Sequence, residues 1–146
     1  MNEMERRNET LKMLSDDYGF KIDYDRYCGT FIINLGNDKE VTCNFSYDEF
    51  YGWDIWDDGV CIAHNERFDI FSTMINKLLT NGINVETATK VVVCLCCLRM
   101  VFEYPYYDLD EIYDFHYPYY NDCPSNMEVF KDILNEMECI MHRIVE

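Results

Sequence analysis

Basic residues are scarce in this chain. Only 12 of its 146 residues are Lys or Arg, against 28 Asp or Glu, which leaves a net charge of −16 at pH 7. Two long intervals, 40–66 and 100–130, contain no Lys or Arg at all. Binding to DNA or RNA requires cations that displace counterions from phosphate, and anionic lipid repels an acidic surface in the same way. No direct contact with nucleic acid and no membrane association are therefore expected. The longest apolar run, Val91 to Phe102, is interrupted by Arg99 and falls well short of the roughly 20 residues that cross a bilayer.

Other absences narrow the chemistry. There is no Gly-rich phosphate loop, no G-x-S-x-G and no H-E-x-x-H. A nucleophilic cysteine needs nearby positive charge to lower its pKa, and the chain has little to give. Carboxylates are too numerous to single out one pair for acid–base work. The expectation is a protein that is not an enzyme. The first residues, MNEMERRNETLK, carry charges where a secretion signal would be apolar, so a cytoplasmic protein is expected, with its eight cysteines as thiols rather than a disulfide framework.

What is present argues for a folded chain. Hydrophobic residues make up 49% and aromatic residues 16%, which a disordered segment would not carry. The length suits one domain with its own core, and we read 1–146 as a single acidic α+β domain. Residues 3–17 have helical spacing, with Met4, Leu11 and Leu14 near one face and Gly19 as the stop. From Phe20 to His64 the period changes to two. Val41, Cys43, Phe45 and Tyr47 alternate with polar residues, and Gly36-Asn37-Asp38 and Asp57-Asp58-Gly59 read as hairpin turns. An antiparallel meander of three to five strands follows from this pattern. Trp53 and Trp56, three apart, cannot both point inward from one strand.

Three further helices are expected. The first has Asn65 as N-cap and runs to about Thr80, placing Phe68, Phe71, Met74, Ile75, Leu78 and Leu79 at helical spacing. The second, capped by Asn84, is apolar almost all round through Phe102 and should be the buried central helix. The third opens with Ser125 and Glu128 at capping-box spacing and carries a stripe from Phe130 to Ile144. Its Met137 and Met141 suit the core, or alternatively a homodimer contact.

Candidate metal ligands are Cys94, Cys96 and Cys97, Cys61 with His64, and Cys139 with His142. The first group lies among Val, Leu and Met, where free cysteine behaves as a small buried hydrophobe. On a regular strand Cys61 and His64 point to opposite faces. Asp54, Asp57, Asp58 and Gly59 lack the bidentate Glu that a calcium loop requires. No metal or cofactor is expected.

The residue pattern that stands out is acidic and aromatic. Between Met100 and Phe130, seven carboxylates share the chain with seven tyrosines. Candidate partner-binding residues here are Asp108, Asp110, Glu111 and Asp114, with Tyr106, Tyr107, Tyr113, Tyr117, Tyr119 and Tyr120. Asp54, Asp57 and Asp58 belong to the second basic-free interval. Exposed Tyr rings anchor interfaces, and carboxylates around them recruit Arg and Lys. In composition the chain resembles phage-encoded anti-defence proteins such as the anti-CRISPRs. That resemblance implies an inhibitor acting in the host cytoplasm, docked on a basic nucleic-acid-handling protein and blocking its nucleic-acid site. The same composition suits immunity proteins of basic nuclease toxins. A Cys/His zinc-binding structural or ligand-binding domain is the remaining alternative.

Overall fold

The computed structural model describes residues 2–47, 49–66, 69–102, 109–122 and 126–145. The architecture is mixed α+β: an N-terminal helix, a five-stranded antiparallel sheet, then helices. The chain groups into two compact units, Met1–Phe68 and Asp69–Glu146, described in turn.

In the first unit, α1 (Glu3–Tyr18) starts at Asn2, whose side chain accepts the Glu5 N–H at 2.9 Å, and stops at Gly19 with φ 72°. This is a side-chain N-cap followed by a left-handed C-terminal glycine. Its buried face runs through Thr10, Met13 and Leu14. Met4, expected inside, lies more than a quarter turn from that direction and is exposed. The Thr10 hydroxyl donates to the Arg6 carbonyl at 2.8 Å, which lets a polar residue sit on the apolar side.

The sheet is a meander in the order β1 (Lys21–Asp25), β2 (Thr30–Gly36), β3 (Lys39–Ser46), β4 (Glu49–Asp57) and β5 (Val60–Asn65). Registers align two apolar rows across the strands. Phe31, Cys43 and Trp53 form one row, and Ile33, Val41 and Ile55 the other; all six are fully buried. The small Cys43 side chain sits between two large rings in its row, the large-small alternation that lets a core interdigitate. Asn37 and Asp38 have φ 54° and 63°, and Asp58 and Gly59 φ 51° and 76°. Both hairpins thus have two left-handed central residues, whose twist matches the strands.

Two expectations change at strand ends. Tyr47 is fully exposed, not inward. Alternation stops at Ser46, and Tyr47 turns the chain with φ 51°. Asn65 is not a helix cap. It ends β5, and its side-chain amide donates to the Trp53 carbonyl at 3.2 Å. Trp53 and Trp56 divide as expected, the first fully buried and the second half-buried.

In the second unit, α2 begins only at Phe71 and ends at Thr80. Phe71, Met74, Ile75 and Leu78 are buried, while Phe68 lies outside the described residues. The Asp69 carboxylate, just ahead of the helix, takes a 2.9 Å ion pair from Lys77. Helix α3 (Val85–Phe102) is capped by Asn84, whose side-chain oxygen accepts the Thr87 N–H at 2.8 Å. Every residue from Val91 to Leu98 is buried, so the β-branched run is helical and has no wet face. Burial pushes the Cys97 thiol up to about 12, with Glu136 adding to the shift. A short helix α4 (Leu109–His116) and a 3-10 helix (Tyr117–Asp122) precede α5 (Asn126–Val145). The short α4 is the addition to the three helices expected. Phe130, Ile133, Met137 and Ile140 form the buried stripe of α5. The capping residue expected at Ser125 and the side chains of Met141 and Ile144 lie outside the described residues.

Gly29 offers a sharp test of the first unit. It has φ +67°, and a Cβ there would stand 2.3 Å from the Phe45 carbonyl oxygen. Gly59 has φ +76° with open space around it. Gly59→Ala should cost about 1 kcal/mol for the left-handed backbone alone, and Gly29→Ala at least about 2 kcal/mol because β3 must also move. Urea denaturation of both variants measures the difference.

Candidate functional site

The acidic aromatic segment is built on α4 and the 3-10 turn. Ile112 and His116, one helical turn apart, are its buried pair. That orientation leaves Asp110, Glu111, Tyr113, Asp114 and Phe115 on the outer side, all exposed. Tyr113 stacks on Tyr117 at 5.0 Å between ring centroids, and Tyr117 meets Tyr120 at 5.3 Å. In a 3-10 helix residues three apart eclipse one another, which brings the last two rings together. Tyr113 also sets its edge against Phe130 of α5 at 5.7 Å. The rings therefore form a short ladder fixed to the core at one end, with Tyr119, Asp122 and Phe115 exposed beside it.

His116 ties this surface down. Its ring lies parallel to Phe71 at 3.6 Å, and its Nδ1 accepts the Phe71 backbone N–H at 3.0 Å. Ile70, the N-cap residue of α2, supplies no side-chain cap, so an imidazole 45 residues away satisfies one of the orphan N–H groups there. Burial, and secondarily the charge of Arg99, lower its pKa to about 3. With Nδ1 occupied as an acceptor, the proton of the neutral ring sits on Nε2.

Of the candidate residues, Asp110, Glu111, Tyr113, Asp114, Tyr117, Tyr119 and Tyr120 are gathered on this one short stretch. Asp108, Tyr106 and Tyr107 lie outside the described residues. Phe115, exposed beside Asp114, is not among the sequence candidates; its exposure follows from the inward turn of His116, which no local pattern signals. Asp58 is exposed at the tip of the β4–β5 hairpin, and Asp57 is half-buried beside it.

Asp54 is a correction. Its side chain is only 11% exposed. Asn44 donates to its Oδ2 at 3.1 Å and Thr42 at 3.4 Å, while His64 Nδ1 meets Oδ1. Those bonds hold it inside the sheet and remove it from any partner-facing patch. His64 and Cys61 are a second correction. An irregularity in the β4–β5 register pairs Cys61 with Trp56 and His64 with Asp54. Residues 54 and 56 share a face of β4, so the extra residue on β5 brings Cys61 and His64 to that same face.

Cys94, Cys96 and Cys97 are buried in α3 as expected, and Cys139 is exposed on α5 with His142. Among the described residues no group of three His, Cys, Asp or Glu could hold a metal ion, and no helix is long and apolar enough to cross a membrane. Comparison with protein-family models, with curated proteins and with solved structures gives no match for this chain.

The His116 anchor predicts a pH dependence. The unfolded chain takes up a proton near pH 6.5, whereas the folded imidazole resists until about 3. Its contribution is complete above pH 6.5 and is lost as pH falls toward 3. Between pH 7 and 5 the wild type should lose about 2 kcal/mol more stability than His116→Phe. At pH 7 the variant should start about 1–3 kcal/mol lower, because the Phe71 N–H is orphaned. Urea melts of both proteins at the two pH values measure the difference.

Proposed function

We propose that this protein is a non-enzymatic antagonist that docks its α4 surface on a basic, nucleic-acid-handling protein and occupies the groove meant for nucleic acid. The observation that carries the reading is the pre-stacked ladder of exposed Tyr113 and Tyr117 with half-buried Tyr120, among Asp110, Glu111, Asp114 and Asp122, in a stretch of sequence without Lys or Arg. Carboxylates pair with guanidinium and ammonium groups as phosphates do, and tyrosine faces accept the same cations. Rings already stacked in the free protein lose little freedom on binding. The overall charge of −16 raises the rate of encounter with a positive partner. A nuclease, whether of a defence system or a toxin, falls within this target class.

The test uses Asp110→Asn, Glu111→Gln and Asp114→Asn together, neutral changes that place no cation at the start of α4, where it would oppose the helix dipole. Wild type and triple variant are used as baits for a lysate of the native host, and captured proteins are assayed for nucleic-acid binding. The expected result is a basic protein that loses its nucleic acid to the wild type in competition. The triple variant should associate at least about 10-fold more slowly and with weaker salt dependence. Tyr117→Ala should mainly speed dissociation, by about 10-fold. Equal capture by wild type and triple variant, or capture without competition, would refute the proposal.

A further inference from the structure

The sheet face opposite the apolar rows carries a chain of polar side chains that docking through α4 does not use. Register places Thr42 beside Asp54 and Asp54 beside His64. Trp56 Nε1 donates to the Thr42 hydroxyl at 2.9 Å, and Thr42 and Asn44 both donate to the buried Asp54 carboxylate. Asn44 is oriented in turn by Thr30, whose hydroxyl donates to its side-chain oxygen at 3.1 Å. Asp54 is thus held by neutral donors on one side, and its remaining oxygen receives His64 Nδ1.

The consequence falls on His64. A carboxylate can only accept, so Nδ1 carries a proton, and in the neutral ring the lone pair is therefore on Nε2. The imidazole side chain is 59% exposed, and Nε2 stands 3.8 Å from the Glu66 carboxylate, itself 88% exposed. An imidazole whose far nitrogen donates to a buried carboxylate is the usual support of a metal-binding histidine, since it fixes both tautomer and ring orientation. Two ligand atoms on a tetrahedral zinc ion lie about 3.4 Å apart, only a few tenths of an ångström less than the gap here, and the exposed Glu66 side chain is free to close it.

We propose that His64 Nε2 and the Glu66 carboxylate bind a divalent transition-metal ion of the zinc class, with Asp54 as the positioning residue behind the imidazole. Mixed nitrogen and oxygen donors select such an ion over calcium or magnesium, which take oxygen shells. Two protein ligands leave the remaining positions to water or to an incoming group, as in a site with open coordination. Cys61 shares the face but directs its sulfur to the Ala63 carbonyl at 3.5 Å and is not a ligand. This site is independent of the α4 docking surface, so either can fail alone.

Zinc chloride is the probe, added to the full chain at pH 7.5. Long-range proton–nitrogen correlation spectra of the imidazoles should show the Nδ1–H tautomer for His64 before metal is added. Zinc should then shift its Nε2 resonance while Nδ1 stays protonated. In calorimetric titration His64→Gln should abolish the binding event. Glu66→Gln should weaken it at least about 10-fold, and Asp54→Asn about 10–100-fold while also redistributing the His64 tautomers. Glu66→Gln leaves the core untouched, and in His64→Gln the side-chain amide can donate to Asp54 in place of Nδ1. His142, 3.6 Å from Glu138 on α5, is an exposed Glu–His pair with no buried carboxylate behind it among the described residues, so His142→Gln should leave the event unchanged. The proposal is overturned by a doubly protonated His64 in the metal-free protein, by a stationary Nε2 resonance, or by zinc binding that survives His64→Gln.

Discussion

Charge imbalance is the constraint from which most of this architecture follows. With 28 acidic and 12 basic residues, most carboxylates have no cation of their own, and a buried charge without a partner is prohibitively costly. Asp69 receives one of the few available, from Lys77. Asp54 lies in an interval that has no Lys or Arg, and other side-chain donors are assembled around it: a threonine, an asparagine and an imidazole. The other acidic residues among those described are exposed or half-buried on helices, strands and turns, where water screens their repulsion. The polar face of the sheet and the acidic helix are two responses to one shortage.

Elements with an unbroken period were legible from composition and spacing alone. The alternation Val41–Phe45, the turn chemistry at Asn37-Asp38 and Asp58-Gly59, and the long apolar run of α3 each specify their conformation locally. Misreadings occurred where a distant group decides. Asn65 has the character of a helix cap, but the Trp53 carbonyl across the sheet claims its amide. Tyr47 continues the alternating pattern in type, yet the strand has already ended. One extra residue on β5 brings Cys61 and His64 to the same face, and no periodicity within β5 announces it.

The docking surface shows the same division. Its carboxylates and tyrosines were visible as a composition, because their density is a local property. The arrangement of the rings was not, since it depends on two inward residues, Ile112 and His116, and on Phe130 and Phe71 far away in sequence. A histidine that accepts the first N–H of another helix has no sequence signature. It fixes which side of α4 meets solvent, and so decides that Phe115 joins the exposed face while Ile112 does not.

The buried cysteines bear on the life of the chain outside its native state. Cys43, Cys94, Cys96 and Cys97 are enclosed in the folded protein, whereas Cys28, Cys61 and Cys139 are exposed on a turn, a strand and a helix. Thiolate is the reactive form, and with Cys97 held near 12 the enclosed group is chemically silent until the fold opens. Oxidants meeting the native protein therefore find a different set of thiols from those meeting a nascent or unfolded chain. Oxidation before folding would place polar or cross-linked sulfur in the middle of α3, where residues 91–98 leave no wet face to receive it.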